Sequence, residues 1–526
     1  MHLLSAIRWL FGTPEGAEPR FIPRWIFLRS LGAIYFSAFF SLVFQIRGLI
    51  GPNGILPSGD YLQAVARSFG YWQRLWYAPT LLWWSSGPVM LSVLCWAGMI
   101  ASLVLVFNLW PRGMLVVCFL CFLSFVSAAQ DFSSYQSDGM LLEAGFISMF
   151  FAPPGLRPRF GLADPPSRAS LFLLRWEWFR IYFESGMAKL LSGDPEWRHF
   201  TAMDEYYQNG PLPTWIGWYM QHLPHGFHAA TAGATLVLEL GIVWMLFLPR
   251  RWKIACFFIV TAWQIPVILT ANYTFLNDLV LVLGVLLLDD RFVERILPQQ
   301  FGPRSVAPPP KHSLGEGLPS GRLQRIGNVT RLAASSLMLG SIFYASTAAM
   351  LANYHLPMSP VIALEPFRIA NRYGLFAVMT RGRYEIEFQG SNDGQNWVPY
   401  RFRYKPQELN EAPRVYAPYQ PRFDWNLWFA SLGSWRDYPI VASTEVLLLS
   451  NDKNVLDLFA GNPFPQEPPQ QVRALIWQYW FTSMAEKRTT GMWWRRELLG
   501  HYAPTLERMP DGRIKVVAWP DVPPRN

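Results

Sequence analysis

The chain has 526 residues, 51% of them apolar, 16% aromatic and only 15% charged, with a formal net charge of +9 at pH 7. Soluble domains carry roughly 25% charged residues, so this composition excludes an ordinary water-soluble fold and suits one whose apolar side chains face lipid. Lys and Arg cluster in short loops that close apolar stretches, which argues against a nucleic-acid partner as the origin of the positive charge.

The first 25 residues hold Arg8, Glu15, Glu18, Arg20 and Arg24 around a short apolar run. That pattern is not a cleavable signal peptide, so the first membrane helix is the expected targeting signal. A span needs about 20 mostly apolar residues to cross roughly 30 Å of hydrocarbon. Candidate spans fall at 27–46, 88–107, 113–129, 138–153, 171–191, 229–248, 253–271, 274–289 and 332–352. The expectation is a polytopic α-helical membrane protein of about nine spans. With the N-terminus cytoplasmic, the inside loops hold Arg112; Arg157, Arg159 and Arg168; Arg250, Arg251 and Lys253; and a basic run from Arg291 to Arg331. The outside loops 130–137 and 272–273 hold no Lys or Arg, as the positive-inside rule requires. The division that follows is a multi-span domain at 1–297, a cytoplasmic Pro/Gly-rich basic linker at 298–331, a last membrane helix at 332–352 and an extracytoplasmic domain at 353–526.

The C-terminal domain has a different texture. Residues Arg383 to Gly390 alternate apolar and polar, Asn392-Asp393-Gly394 forms a turn signal, and Trp397 to Tyr404 alternates again. This predicts a β-hairpin. Stretches 453–460 and 470–484 predict helices, the second placing Val472, Leu475, Ile476, Tyr479 and Trp480 on one face, and 513–519 predicts a final strand. The domain is expected to be mixed and β-led.

Charged residues recur at membrane depth. Span 171–191 carries Arg175, Glu177, Arg180, Glu184 and Lys189, of which Glu177, Arg180 and Glu184 share a helical face. Glu143, Glu239 and Asp278 lie in other spans, and Asp138 starts one. Such groups face a protein interior or a polar cavity. They serve either as ion pairs that fix helix packing or as a charged pocket, the latter pointing to a membrane oxidoreductase or other enzyme. A lipid-handling or transport protein is a further alternative. The histidines of HLPHGFH (His222, His225, His228) and His199 lack a carboxylate within the run and read as an interfacial loop, not metal ligands. Cys118 and Cys121 sit in an apolar span and read as packing, and the four cysteines offer no disulfide framework. Asn272-Tyr-Thr274 matches a glycan acceptor but hugs the membrane. No nucleophile elbow, phosphate loop, dinucleotide fingerprint or zinc-protease helix is present, so no catalytic residue, metal or cofactor is assigned.

Several ordered strings are similar to the lipase maturation factor family. They include QIRGLIGPNGILP (Gln45 to Pro57), SYQSDGMLLEAG (Ser134 to Gly145), FRIYFESGMAKLLSGDPEWR (Phe179 to Arg198) and LTANYTFLN (Leu269 to Asn277). In the C-terminal part they are YEIEFQGSNDGQNW (Tyr384 to Trp397), QPRFDWNLWF (Gln420 to Phe429), Asn462-Pro463-Phe464 and Trp493-Trp494-Arg495-Arg496. The resemblance implies a membrane-bound maturation or folding factor for secreted clients, lipases in that family. It places the chain in the endoplasmic reticulum membrane if eukaryotic and the inner membrane if bacterial, with the C-terminal domain lumenal or periplasmic. Expected partners are those clients and membrane lipid. Arg422, Phe423, Asp424, Trp425 and Trp428 are the client-binding candidates, because aromatic and Arg-rich surfaces offer large contact area at modest entropic cost.

Overall fold

A computed structural model describes residues 7, 9–11, 20–296, 322–351 and 356–522. The N-terminal part is helical. Its principal elements are α1 (Phe21–Val43), α2 (Pro88–Val106), α3 (Pro111–Val126), α4 (Gln136–Phe151), α5 (Arg168–Leu191), α6 (His225–Leu240), α7 (Arg250–Thr270), α8 (Leu276–Gly284) and α9 (Arg322–Met350). Most of the linker expected at 298–331 lies outside the described residues, and α9 begins inside its last stretch, at Arg322.

Among the described residues, five segments are long and apolar enough to cross a bilayer: α1, α2, α6 with its continuation to Phe247, α7, and Val329–Met350 within α9. Of the other four expected spans, α3 and Leu276–Leu287 are apolar but shorter. The remaining two, α4 and α5, carry buried charge.

The solvent these helices are built for is visible on α2. Val89, Val93, Trp96, Ile100, Leu103 and Phe107 recur every three to four residues and are all exposed, while Leu91, Leu94, Cys95 and Leu105 are buried. Both faces are therefore apolar. A continuous apolar outer stripe of this kind is costly in water and natural in hydrocarbon, which makes the chain an integral membrane protein.

The C-terminal part is built on a six-stranded antiparallel sheet: β1 (Arg383–Ser391), β2 (Val398–Pro399), β3 (Gln471–Phe481), β4 (Trp494–His501), β5 (Thr505–Arg508) and β6 (Ile514–Ala518). The order is β2-β1-β3-β5-β6, with β4 also pairing β3. β1 and β3 run in register from Arg383↔Tyr479 to Ser391↔Gln471. Two helices, α10 (Arg422–Leu432) and α11 (Pro439–Leu448), lie between β2 and β3 in sequence.

Three local expectations change. The helix expected at 470–484 is β3, the central strand. Its apolar run is long because it is buried on both sides, and a short two-sided apolar run reads equally as helix. Its pairing with β1 across 80 to 96 residues and with β4 across 13 to 26 decides the outcome. The strand expected at Trp397 to Tyr404 pairs with β1 over Val398–Pro399, where Pro399 has no N–H to donate to the ladder, and Phe402 makes an isolated bridge to Phe459. The helix expected at 453–460 is the single turn Lys453–Leu456, capped by Asp452, whose carboxylate accepts from the Asn454 and Val455 amides. The hairpin turn holds: Gly394 has φ +70°, and the Asp393 carboxylate accepts from the Gln395 and Asn396 amides.

Candidate functional site

The polar stripe on α5 faces a chain segment. Residues 371–380, which lead into β1, run along α5 and the loop that follows it. Arg180, fully buried, pairs with Glu143 of α4 and donates through Nη1 to the Asn371 carbonyl at 2.7 Å. Glu143 Oε2 accepts from the Asn371 amide at 2.9 Å, its side-chain amide at 3.0 Å and the Tyr373 hydroxyl at 2.9 Å. Glu184 Oε2 accepts from the Tyr373 amide at 2.6 Å, and Ser185 Oγ from the Leu375 amide at 3.2 Å. Lys189 pairs with Glu239 at 2.9 Å and donates to the Leu375 carbonyl at 2.9 Å.

Beyond the helix the same pattern continues. Trp197 Nε1 donates to the Phe376 carbonyl at 2.9 Å, Asp194 accepts from the Met379 amide at 2.6 Å, and Asn209 donates to the Thr380 carbonyl at 2.8 Å. Backbone polar groups buried without partners cost about 1–3 kcal/mol each. The charges on α5 and α4 supply those partners, so the stripe acts as a clamp for this segment. Tyr373, outside the spans, has its hydroxyl pushed well above the ordinary phenol range, first by burial and then by the neighbouring Glu143.

Not every predicted member joins. Glu177 is buried beside this group with neither carboxylate oxygen in hydrogen-bond geometry. Arg175 instead donates to the Leu286 carbonyl. Asp278 stands in the first turn of α8. Gly139 explains the tight approach of α4: a Cβ there would meet Asn371 Oδ1 at 2.8 Å.

A second seam joins α10 to the bundle. Arg422, buried to 0% exposure, donates to Asp138 at 2.7 and 2.8 Å and to the Phe132 carbonyl at 2.7 Å. Its guanidinium lies 4.7 Å from the Phe125 ring centroid. Gln45, just beyond α1, accepts from the Arg422 amide at 2.8 Å and donates to the Gln420 carbonyl at 2.9 Å. The expected exposed surface is thus corrected. Phe423, Asp424, Trp425 and Trp428 are buried with Arg422, since α10 is wedged between the bundle and the sheet. Trp428 Nε1 donates to the Asn209 carbonyl at 3.1 Å. Asp424 accepts from the Tyr404 and Lys405 amides at 3.2 Å, and burial pushes its carboxyl up to about 6.

Asn272 is a further joint. Its buried side chain donates to the Leu212 and Arg414 carbonyls and accepts from the Tyr416 and Ala417 amides. Arg383 of β1 pairs with Glu385 and donates to the Gln208 carbonyl at 3.0 Å.

The histidines are placed separately. His222 contacts the Trp218 and Thr482 carbonyls, His225 meets Asp204 at 3.0 Å, and among the described residues no cluster of three metal-ligating side chains forms. All four cysteines are buried and unpaired with one another. The seam partners Asn371, Tyr373 and Gln45 were not singled out from the sequence. Only Gln45, within QIRGLIGPNGILP, fell in a string marked by the resemblance.

The family described as "Lipase maturation factor transmembrane domain" matches residues 22–295, and "Lipase maturation factor C-terminal domain" matches residues 369–504. "Lipase maturation factor 2" of Gallus gallus is 31% identical over 93% of this chain and 82% of its own length. "Lipase maturation factor 1" of Bos taurus is 31% identical over 93% and 89%, and "Lipase maturation factor 2" of Homo sapiens 30% identical over 92% and 82%. No solved structure matches. Matched across both its membrane and C-terminal parts, this chain belongs to the lipase maturation factor family.

Proposed function

We propose that this chain is a membrane-bound maturation factor for secreted proteins, with lipases as clients in keeping with its relatives' names. In this reading the N-terminus is cytoplasmic, the chain crosses about nine times, and residues 353–526 form a domain outside the cytoplasm, in the lumen of the endoplasmic reticulum. The basic loops support that orientation, and α3, α4, α5 and the α8 segment supply the crossings beyond the five long helices. A bacterial inner membrane finds no support among the relatives reported, which are vertebrate proteins.

The observation that carries the proposal is the clamp. The bundle's buried charges meet the segment entering the sheet, and Arg422–Asp138 fastens α10. A scaffold that holds a folded domain at the membrane needs such joints. The oxidoreductase and transport alternatives have no comparable support. Arg422, Phe423, Asp424, Trp425 and Trp428 serve clients indirectly here, by seating the domain.

The test is co-expression of the full chain with a secreted dimeric lipase in cells lacking their own factor. The reading expects active secreted lipase to rise severalfold, and a cysteine placed at exposed Val398 to be labelled only from the lumenal side. Unchanged lipase activity, or labelling of that cysteine from the cytosol, would overturn it.

A further inference from the structure

A cavity of about 820 Å³ lies where the ends of α1 and α2 meet the C-terminal domain. Its membrane-side wall is aromatic. Phe40, Phe44 and Trp96 line it, and all three are exposed on the lipid-facing surface of the spans. Tyr404 and Tyr419, with ring centroids 5.3 Å apart, continue that wall toward the C-terminal domain.

Three cations share this lining. Arg47, Arg403 and Lys453 are exposed and line the same cavity. Among the described residues Arg47 donates to Ser92 Oγ, at 3.2 and 2.9 Å, and Arg403 Nε to the Asp457 carbonyl at 3.2 Å. Among the described residues no carboxylate pairs with any of the three at ion-pair distance. The acidic groups in the lining are Asp424, already engaged with two backbone amides, and exposed Asp457. Three cations against two carboxylates leave one excess positive charge, the complement of one phosphodiester.

Aromatic side chains gather at the membrane boundary, basic pockets beside spans take lipid head groups, and guanidinium groups match phosphate oxygens. All three features converge here on one cavity. We infer that it is a glycerophospholipid site: the phosphodiester sits among Arg47, Arg403 and Lys453, and the acyl chains descend along Phe40, Phe44 and Trp96. The site requires only that α1 and α2 span the bilayer, so it stands apart from the maturation reading. It would make the seating of the C-terminal domain sensitive to the lipid at that boundary.

The test uses the full chain, delipidated in a maltoside detergent and examined by native mass spectrometry. The probes are dioleoylphosphatidylglycerol, dioleoylglycerol and glycerol 3-phosphate. The phospholipid is expected to bind at least tenfold more tightly than either of the others. Equal retention of dioleoylglycerol would make this an acyl-chain groove, and equal binding of glycerol 3-phosphate would make it a free-phosphate site; either overturns the inference. The variant Arg47→Gln/Arg403→Gln/Lys453→Gln is expected to weaken phospholipid binding at least tenfold, and Arg508→Gln, on the far strand β5, to leave it unchanged. Should the triple variant fail to fold, Lys453→Gln alone is expected to weaken binding about threefold. Parental affinity in whichever variant folds would contradict the site.

Discussion

Replacing Arg422 with methionine tests the joint between the bundle and α10. Arg422 and Asp138 are both fully buried, and the pair makes two short bonds of 2.7 and 2.8 Å, with a third from Arg422 to the Phe132 carbonyl. Methionine keeps the length and apolar bulk but leaves Asp138 as a buried carboxylate with no cation. Breaking a buried pair from one side costs about 3–5 kcal/mol, a factor of at least a hundred in the folded ratio. Asp138→Asn should cost a similar amount, because the guanidinium is then stranded. Removing both charges together, as Asp138→Leu/Arg422→Met, replaces the pair with apolar contact, which is often close to neutral. The double variant is therefore expected to be more stable than either single one. Denaturant unfolding of the full chain in detergent, followed by tryptophan fluorescence, measures all four corners of the cycle. Single variants within about 1 kcal/mol of the parent, or a double variant equal to the sum of the singles, would refute the reasoning.

Gly139→Ala should push α4 from Asn371 and lower stability by about 1–3 kcal/mol, read as a drop in the thermal midpoint. Arg383→Met should loosen β1 from the loop at 208–211 by about 1–3 kcal/mol, since it removes the bond to the Gln208 carbonyl and leaves Lys405 as the cation paired with Glu385; protease sensitivity of the sheet reports it. Because burial lifts the Asp424 carboxyl to about 6, the folded chain holds a proton that the unfolded chain releases between about pH 4 and 6. Its contribution to stability therefore falls as pH rises through that window and is level above it, and Asp424→Asn should remove this slope from unfolding midpoints measured across the range. The Asn272 side chain is buried in five hydrogen bonds, so glycosidase treatment of chain made in a eukaryotic host should cause no mobility shift attributable to that position.

Features with a local cause were legible in the sequence. The lipid-facing helices announce themselves by long apolar runs, and the Asn392-Asp393-Gly394 turn by residues that tolerate positive φ. The stripe of Glu177, Arg180 and Glu184 was visible from helical spacing, but the segment that Arg180 and Glu184 hold was not, because residues 371–380 lie about 190 positions away and meet them through their backbone. A backbone acceptor has no residue signature. The same limit explains β3, whose two-sided burial produces an apolar run with no decisive period, and α10, where an Arg among aromatics suggested a binding surface. Arg422 is buried because Asp138, far away in sequence, neutralises it. That partnership is a property of the assembled fold.

The central claim is that Glu184 of α5 and Glu143 of α4 position the C-terminal domain and are not reacting groups. Glu184 separates the two roles, because glutamine keeps an oxygen to accept from the Tyr373 amide while removing the carboxylate. Active lipase secreted with the Glu184→Gln chain should stay within about twofold of the parent, whereas Glu184→Leu, which strands that amide, should reduce it together with stability. Loss of lipase maturation in a Glu184→Gln chain whose unfolding matches the parent would contradict the account.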